Sequence, residues 1–213
     1  MKKALIIGAT GMVGAELTRQ LLEDKNYGEI VSFVRRASGV SHPKLTEHIV
    51  DFDKPENWKE LVTGDVLFSA MGTTIANAKT KDNQYKVDYT YQYETARMAS
   101  ENGVPVYVLV SSAGANSHAV AFYMNMKGEL EDAVRKLPFQ YLHIFRPGQL
   151  DGDRKENRAG ERIALKLMYV INKAGIARRY RPIHATQLAK AMIIAAGTTS
   201  SGTYTLDEIF RLK

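Results

Sequence analysis

The stretch FYMNMKGELEDAV, Phe122 to Val134, carries a tyrosine and a lysine four positions apart. On a helix that spacing sets Tyr123 and Lys127 on one face, about 6 Å apart along the axis. A phenol ordinarily titrates near pH 10, and a neighbouring ammonium lowers that value by roughly 1–3 pH units. The phenol then becomes an effective proton donor or acceptor for a carbonyl or alcohol. At about 100° per residue, Val120, Tyr123, Lys127, Leu130 and Val134 fall within roughly 80° of one another, on the side such a helix buries. A buried ammonium is costly without a partner, so Lys127 either snorkels to solvent or serves a site.

The Y-x-x-x-K spacing occurs twice, and position separates the two pairs. Tyr123 follows an apolar run ending Val110-Ser111-Ser112-Ala113-Gly114, which brings a serine hydroxyl to the edge of a sheet. Tyr169 and Lys173 lie in a late basic stretch with no such neighbour. Tyr123/Lys127 is therefore the candidate pair.

A second cluster sits at the start. Gly8-Ala9-Thr10-Gly11-Met12-Val13-Gly14 follows the apolar run Ala4–Ile7 and opens a helical pattern. Strand before and helix after is the context that gives a G-x-x-G-x-x-G pattern meaning. Gly8 permits a tight turn, Gly11 keeps side chains away from a pyrophosphate, and Gly14 permits close helix packing. The loop amides, from Thr10 through Met12 and Val13, would face the phosphates. The bland reading is a glycine turn with no ligand.

Other residues fall where a dinucleotide would lie. The second apolar run, Val31–Val34, ends in Arg35-Arg36 rather than in the carboxylate that bonds a ribose 2′-hydroxyl. An arginine forks onto a 2′-phosphate with charge-assisted bonds. One such contact, at roughly 1.5–3 kcal/mol, is about a ten- to hundredfold preference, so NADP(H) is expected over NAD(H). The competing reading is that two arginines merely end a strand at the surface. Phe52 and Asp53 follow the third strand at the expected adenine position, with Asp53 facing the base or capping a helix at 56. Ala70-Met71-Gly72-Thr73-Thr74 ends the fourth strand and would run beside the pyrophosphate and ribose, or is simply a turn.

These residues need a scaffold, and the pattern supplies one. Apolar runs at 4–7, 30–34, 47–50, 66–69, 106–110 and 141–145 alternate with helical stretches near 12–25, 56–62, 83–102 and 118–136. A helix near 161–173, a helix at 186–196 and a short strand near 203–206 close the chain. The runs at 4–7, 66–69 and 106–110 are apolar throughout, as a sheet covered on both faces requires. The alternation predicts a single α/β domain over 1–213: a doubly wound, mostly parallel Rossmann sheet with right-handed crossovers. Residues 151–182 are expected to cover the substrate and cofactor crevice.

Composition bounds the rest. The 213-residue chain has no cysteine, which excludes disulfides and thiolate metal sites. No apolar run approaches the ~18 residues of a membrane span. The four-residue apolar core of MKKALIIGATG is too short for a secretory signal, so the expected location is the cytoplasm. The net charge of +6 resides in Asp153–Arg181, where nine Lys/Arg face three Asp/Glu. That segment is either a solvated surface or one that meets an anionic ligand. A nucleic-acid partner is not expected, because no zinc-finger, aromatic–basic or helix-turn-helix motif is present. His118 and His143 show no ligand spacing, so no metal is expected, and His184 reads as a packing or capping residue.

In order along the chain, GATGMVG, SSAGA, YMNMK and FRPGQL resemble the short-chain dehydrogenase/reductase superfamily, in its atypical NAD(P)-binding branch, over roughly residues 1–150. The tail RPIHATQLAKAM resembles the segment that closes the sheet in extended and atypical members. More closely, VSSAGANS, FYMNMKGELE and FRPGQLDGDRKENRAGE are similar to the Tat-interacting oxidoreductase-like group and its bacterial relatives. The resemblance implies that Tyr123 is the proton donor or acceptor and that Lys127 holds the nicotinamide ribose and lowers the tyrosine pKa. It implies that Ser112, in preference to Ser111, orients the substrate oxygen, and that Pro147, Gly148 and Gln149 pass near the nicotinamide. The family's four-member site adds an asparagine on the helix after the fourth strand, and Asn83 is the nearby candidate.

Three functions compete. The first is an NADPH-dependent reductase of a small carbonyl compound, working as a monomer or homodimer. The second is a non-catalytic redox sensor that binds NADP(H), which the retained Ser-Tyr-Lys set argues against. The third is a nucleotide-sugar epimerase or dehydratase, whose substrate lobe is usually larger than the ~60 residues after Pro147.

Overall fold

Alternate residues of the first strand, β1 (Lys2–Ile7), pack on opposite faces of the sheet. Ala4 and Ile6 join one core cluster and Leu5 and Ile7 the other, and all four are buried. This two-sided burial is what the uninterrupted apolar runs require. The computed structural model describes residues 1–151 and 182–212. The covering segment predicted over 151–182, its helix near 161–173 and the Tyr169/Lys173 pair lie outside the described residues, apart from Asp151 and Pro182.

Among the described residues the sheet has seven parallel strands, in the order Leu45–Ile49, Tyr27–Val34, β1, Val66–Ser69, Val106–Val110, Tyr141–Arg146 and Gly202–Thr205. Besides β1 these are β2 (Tyr27–Val34), β3 (Leu45–Ile49), β4 (Val66–Ser69), β5 (Val106–Val110), β6 (Tyr141–Arg146) and β9 (Gly202–Thr205). The order reverses between β1 and β4. A ligand crevice is therefore expected outside the carboxyl ends of those strands. Helix α1 (Met12–Glu23) packs Val13, Leu17 and Leu21 on one face. There it meets the late helix α6 (Ala185–Ala195), which contributes Leu188 and Met192. Helices α4 (Tyr91–Glu101) and α5 (Phe122–Val134) cover the other face with Ala96, Met98, Leu130 and Val134.

The structure departs from the sequence pattern in five places. The stretch expected as a helix at 56–62 is two 3₁₀ turns, Pro55–Asn57 and Lys59–Leu61. The helix expected at 83–102 is three pieces: α3 (Lys81–Tyr85), a π turn (Lys86–Thr90) and α4. Two short elements were not anticipated: helix α2 (Ile75–Ala78), capped by Thr74, and a pairing of β7 (Leu150–Asp151) with β8 (Ile183–His184). Finally, α5 begins at Phe122 rather than 118. Val120 lies ahead of the helix and is fully exposed, so it does not belong to the buried stripe.

Candidate active site

The loop from β1 to α1 is shaped by two glycines. Gly8 has φ +81°, and a Cβ there would lie 2.5 Å from the backbone of Ala70 and Met71. Only glycine lets this turn rest against the end of β4. A Cβ on Gly14 would lie 2.0 Å from the Gly8 carbonyl oxygen, so the close packing that Gly14 permits is of helix on loop. Gly11 caps α1 with no side-chain hydrogen bond, and its own amide donates to the Gly8 carbonyl at 2.9 Å. The next amides, of Met12 and Val13, have no helical carbonyl before them. Both residues line a cavity of about 1050 Å³, and such a helix start is suited to an anion.

Thr10, Gly11, Ala70, Met71, Gly72 and Thr73 line both this cavity and a smaller one of about 600 Å³, so the two are contiguous. Gly8, Phe52 and the exposed Arg35 and Arg36 line the smaller one. Asp53 does not line it. Its carboxylate pairs with Lys86 at 2.6 Å and accepts the Tyr91 hydroxyl at 2.8 Å, and the Lys86 bond holds it below the usual carboxylate range. Nor does Asp53 cap a helix, since Lys54 occupies that position. Phe52 is buried against Trp58, with ring centroids 5.3 Å apart.

Lys127 does not snorkel. It is 2% exposed, and its Nζ lies 3.7 Å from Asp88 Oδ1 and donates to the Val110 carbonyl at 3.4 Å. Asp88 is 1% exposed and lies on the π turn. Its Oδ2 accepts the Thr73 amide at 2.9 Å, and Gln92 donates to its backbone carbonyl at 2.7 Å. Burial pulls the Lys127 ammonium below its ordinary value, against the attraction of Asp88 and Glu131. Burial likewise pushes the Asp88 carboxyl up, against the pull of Lys127 and the Thr73 amide. Asn83 does not reach the lysine: it is exposed, and its amide donates to the Ala78 carbonyl at 3.0 Å. Asp88 escaped the sequence reading, although Gln84, Asp88 and Gln92 form a polar i, i+4, i+8 row, all buried. Such a row inside a helical pattern is the signal that could have found it.

Tyr123 is 39% exposed and lines the larger cavity together with Lys127 and Ser111. Ser112 lies outside the lining, and its hydroxyl donates to the Ala113 carbonyl at 3.3 Å. The Ser111 hydroxyl donates to Glu131 Oε1 at 2.6 Å. Glu131 is itself buried and held by Arg146 at 2.5–3.2 Å. The loop after Ser111 lies across α5, where a Cβ on Gly128 would fall 2.1 Å from the Ser117 nitrogen. Pro147, Gly148 and Gln149 do not line the cavity. The Pro147 carbonyl accepts the Ala113 amide at 2.9 Å, and the Gln149 carbonyl accepts the Ile183 amide at 3.0 Å. The next residue, Leu150, does line it, as does His184, whose ring caps α6 at the Thr186 amide. Among the described residues no His/Asp/Glu cluster is arranged to hold a metal.

A glycine-cradled helix start thus shares one cavity with a tyrosine, a serine and a buried lysine. A family model described as NAD(P)H-binding matches residues 8–179. The chain belongs to this NAD(P)H-binding family. It is 36% identical over 194 residues to the protein FMP52 of Candida albicans, covering 88% of this chain and 85% of that protein. With the corresponding Aspergillus fumigatus protein it shares 36% identity over 217 residues, or 97% and 89% of the two chains. Among solved structures, the Bordetella bronchiseptica enzyme WbmH in complex with NAD⁺ superposes with a TM-score of 0.73 at 17% identity, covering 96% of this chain and 76% of that one. The UDP-glucose 4-epimerase of Thermotoga maritima gives 0.70 at 14% identity, covering 98% and 80%. The fold is thus a Rossmann-type α/β domain, like that of these structures. The expected cytoplasmic location is overturned, because the FMP52 relatives are named as mitochondrial proteins. That expectation rested on a missing secretory core, which says nothing about other addresses.

Proposed function

We propose that this member of the NAD(P)H-binding family is an NADP(H)-dependent reductase of a small carbonyl compound, with Tyr123 as proton donor. One observation carries the reading. Tyr123 and the buried Lys127 open onto the same cavity as the uncapped first turn of α1.

The residues present fit a dinucleotide. The cradle that a Cβ on Gly8 or Gly14 would fill, together with the Met12 and Val13 amides, suits its pyrophosphate. Arg35 and Arg36 beside the smaller cavity suit a 2′-phosphate. When bound, the cofactor supplies a hydride. Lys127 would hold the ribose hydroxyls and, through its charge, ease proton loss from the Tyr123 phenol. Tyr123 delivers that proton to the carbonyl oxygen. Asp88 fixes the lysine and, through the Thr73 amide, the end of β4 that both cavities share. Of the two serines, Ser111 is the one that faces the substrate, because it lines the cavity. The resemblance to the Tat-interacting oxidoreductase-like group is consistent with this reading.

Single-turnover oxidation of bound NADPH by a panel of aldehydes, ketones and quinones tests the proposal. Oxidation by at least one class is expected. No oxidation by any of them defeats the reductase reading in favour of a sensor that only binds the nucleotide.

A further inference from the structure

The Ser111 hydroxyl has one proton and two lone pairs to offer. Its proton is taken by Glu131 Oε1 at 2.6 Å, a length typical of a hydrogen bond to a charged acceptor. Both Glu131 oxygens are engaged as acceptors. The residue is 1% exposed, and the Arg146 fork closes on it with Nε at 2.9 and 3.2 Å and Nη2 at 2.5 Å. Arg135 adds a second guanidinium at 3.6 Å. Ser111 is itself only 5% exposed, and it lines the larger cavity. What its hydroxyl keeps for a ligand is therefore a pair of acceptor sites, made more basic by the carboxylate it bonds. A bare carbonyl oxygen set against Ser111 would place acceptor against acceptor.

We infer that Ser111, oriented by Glu131, selects substrates that bring a hydroxyl beside the reactive carbonyl, the class of α-hydroxy aldehydes and ketones. The inference rests on the reductase reading. In it the carbonyl oxygen takes the Tyr123 proton while the neighbouring hydroxyl donates to Ser111 Oγ. The two duties fall on two residues of one cavity wall, with Lys127 tied to the Val110 carbonyl, next in the chain to Ser111. A site whose buried polar group demands a donor discriminates strongly against the analogue that lacks one. Glu131 acts through Ser111 and is a positioning residue.

Calorimetric titration of the NADPH-loaded protein with 2-hydroxyacetophenone and with acetophenone tests this. The hydroxylated ketone is expected to bind about tenfold more tightly. Ser111→Ala should reduce the ratio to near one, and Ser111→Thr should keep it. Glu131→Gln supplies an amide that can donate to Ser111 and turn its proton toward the cavity, so the preference should vanish or invert. A purely structural role for Glu131 would weaken both ligands alike. Equal binding of the two ketones by the wild-type protein, or binding of neither at millimolar concentration, overturns the inference. NADPH oxidation scores the reductase reading separately. Turnover without a hydroxyl preference ends only the inference, and a hydroxyl preference without turnover ends only the reductase reading.

Discussion

The Lys127 ammonium and the Asp88 carboxylate face each other across 3.7 Å, each almost completely buried, one on α5 and the other on the π turn that precedes α4. Removing one member of a buried pair leaves an uncompensated charge, at a cost of about 3–5 kcal/mol. Asp88→Ala should therefore lower unfolding stability by that order in denaturant titration. Asp88→Ala combined with Lys127→Met should recover much of the loss. Equal stability of Asp88→Ala and wild type would show that the pair does not hold the two helices together.

Arg35 and Arg36 bear on cofactor choice. Both stand exposed beside the smaller cavity, so losing a charged contact to a 2′-phosphate should be worth roughly 1.5–3 kcal/mol. The Arg35→Ala, Arg36→Ala double variant should bind NADPH ten- to hundredfold more weakly while NADH affinity barely changes. Equal losses for both nucleotides in fluorescence titrations would remove the argument for NADP(H).

Gly128 makes a prediction about shape. A Cβ there would fall 2.1 Å from the Ser117 nitrogen and 2.2 Å from the Asn116 carbonyl carbon. Both are backbone atoms that cannot step aside alone. Gly128→Ala should displace the 112–121 loop and cost at least the 1–3 kcal/mol of an overpacked core site. Thermal unfolding measures the cost. An unchanged melting temperature would mean that the loop does not rest on α5 as described.

His143 predicts a pH dependence. It is fully buried, its Nε2 has no partner among the described residues, and burial pulls its pKa below the usual histidine value. In the unfolded chain the ring protonates near pH 6.5, so below that pH the unfolded state binds more protons. Stability from this residue is present above about pH 6.5 and falls as pH drops toward the depressed folded value. His143→Asn should flatten that part of the stability–pH curve. A wild-type curve flat from pH 7 down to 5 would contradict the assignment.

How legible all this was in the sequence depended on distance along the chain. The sheet could be read because runs such as Val66–Ser69 and Val106–Val110 are apolar on both faces, a local property. The loop could be read because its three glycines are close in sequence. Asp88 is marked in the sequence only by its i, i+4 spacing from Gln84 and Gln92, and its pairing with Lys127 crosses from the π turn to α5, where no spacing can be counted. Ser111 and Ser112 are neighbours, and which one faces the cavity depends on where β5 ends and on Glu131, twenty residues away. Asp53 has the right position for an adenine contact, but a lysine on the π turn claims it. Side chains that meet across elements leave no spacing to count.

In the proposed reaction Tyr123 donates a proton beside a bound nicotinamide nucleotide. The most direct test compares single-turnover NADPH oxidation in wild type and Tyr123→Phe, using any carbonyl compound the wild type reduces, with NADPH affinity measured on both. Removing a general acid costs about 10²–10⁴-fold in rate. A loss of that size is expected, with NADPH affinity within about twofold, since the phenol is not part of the phosphate cradle. Full-rate oxidation by Tyr123→Phe would contradict the proposed reaction.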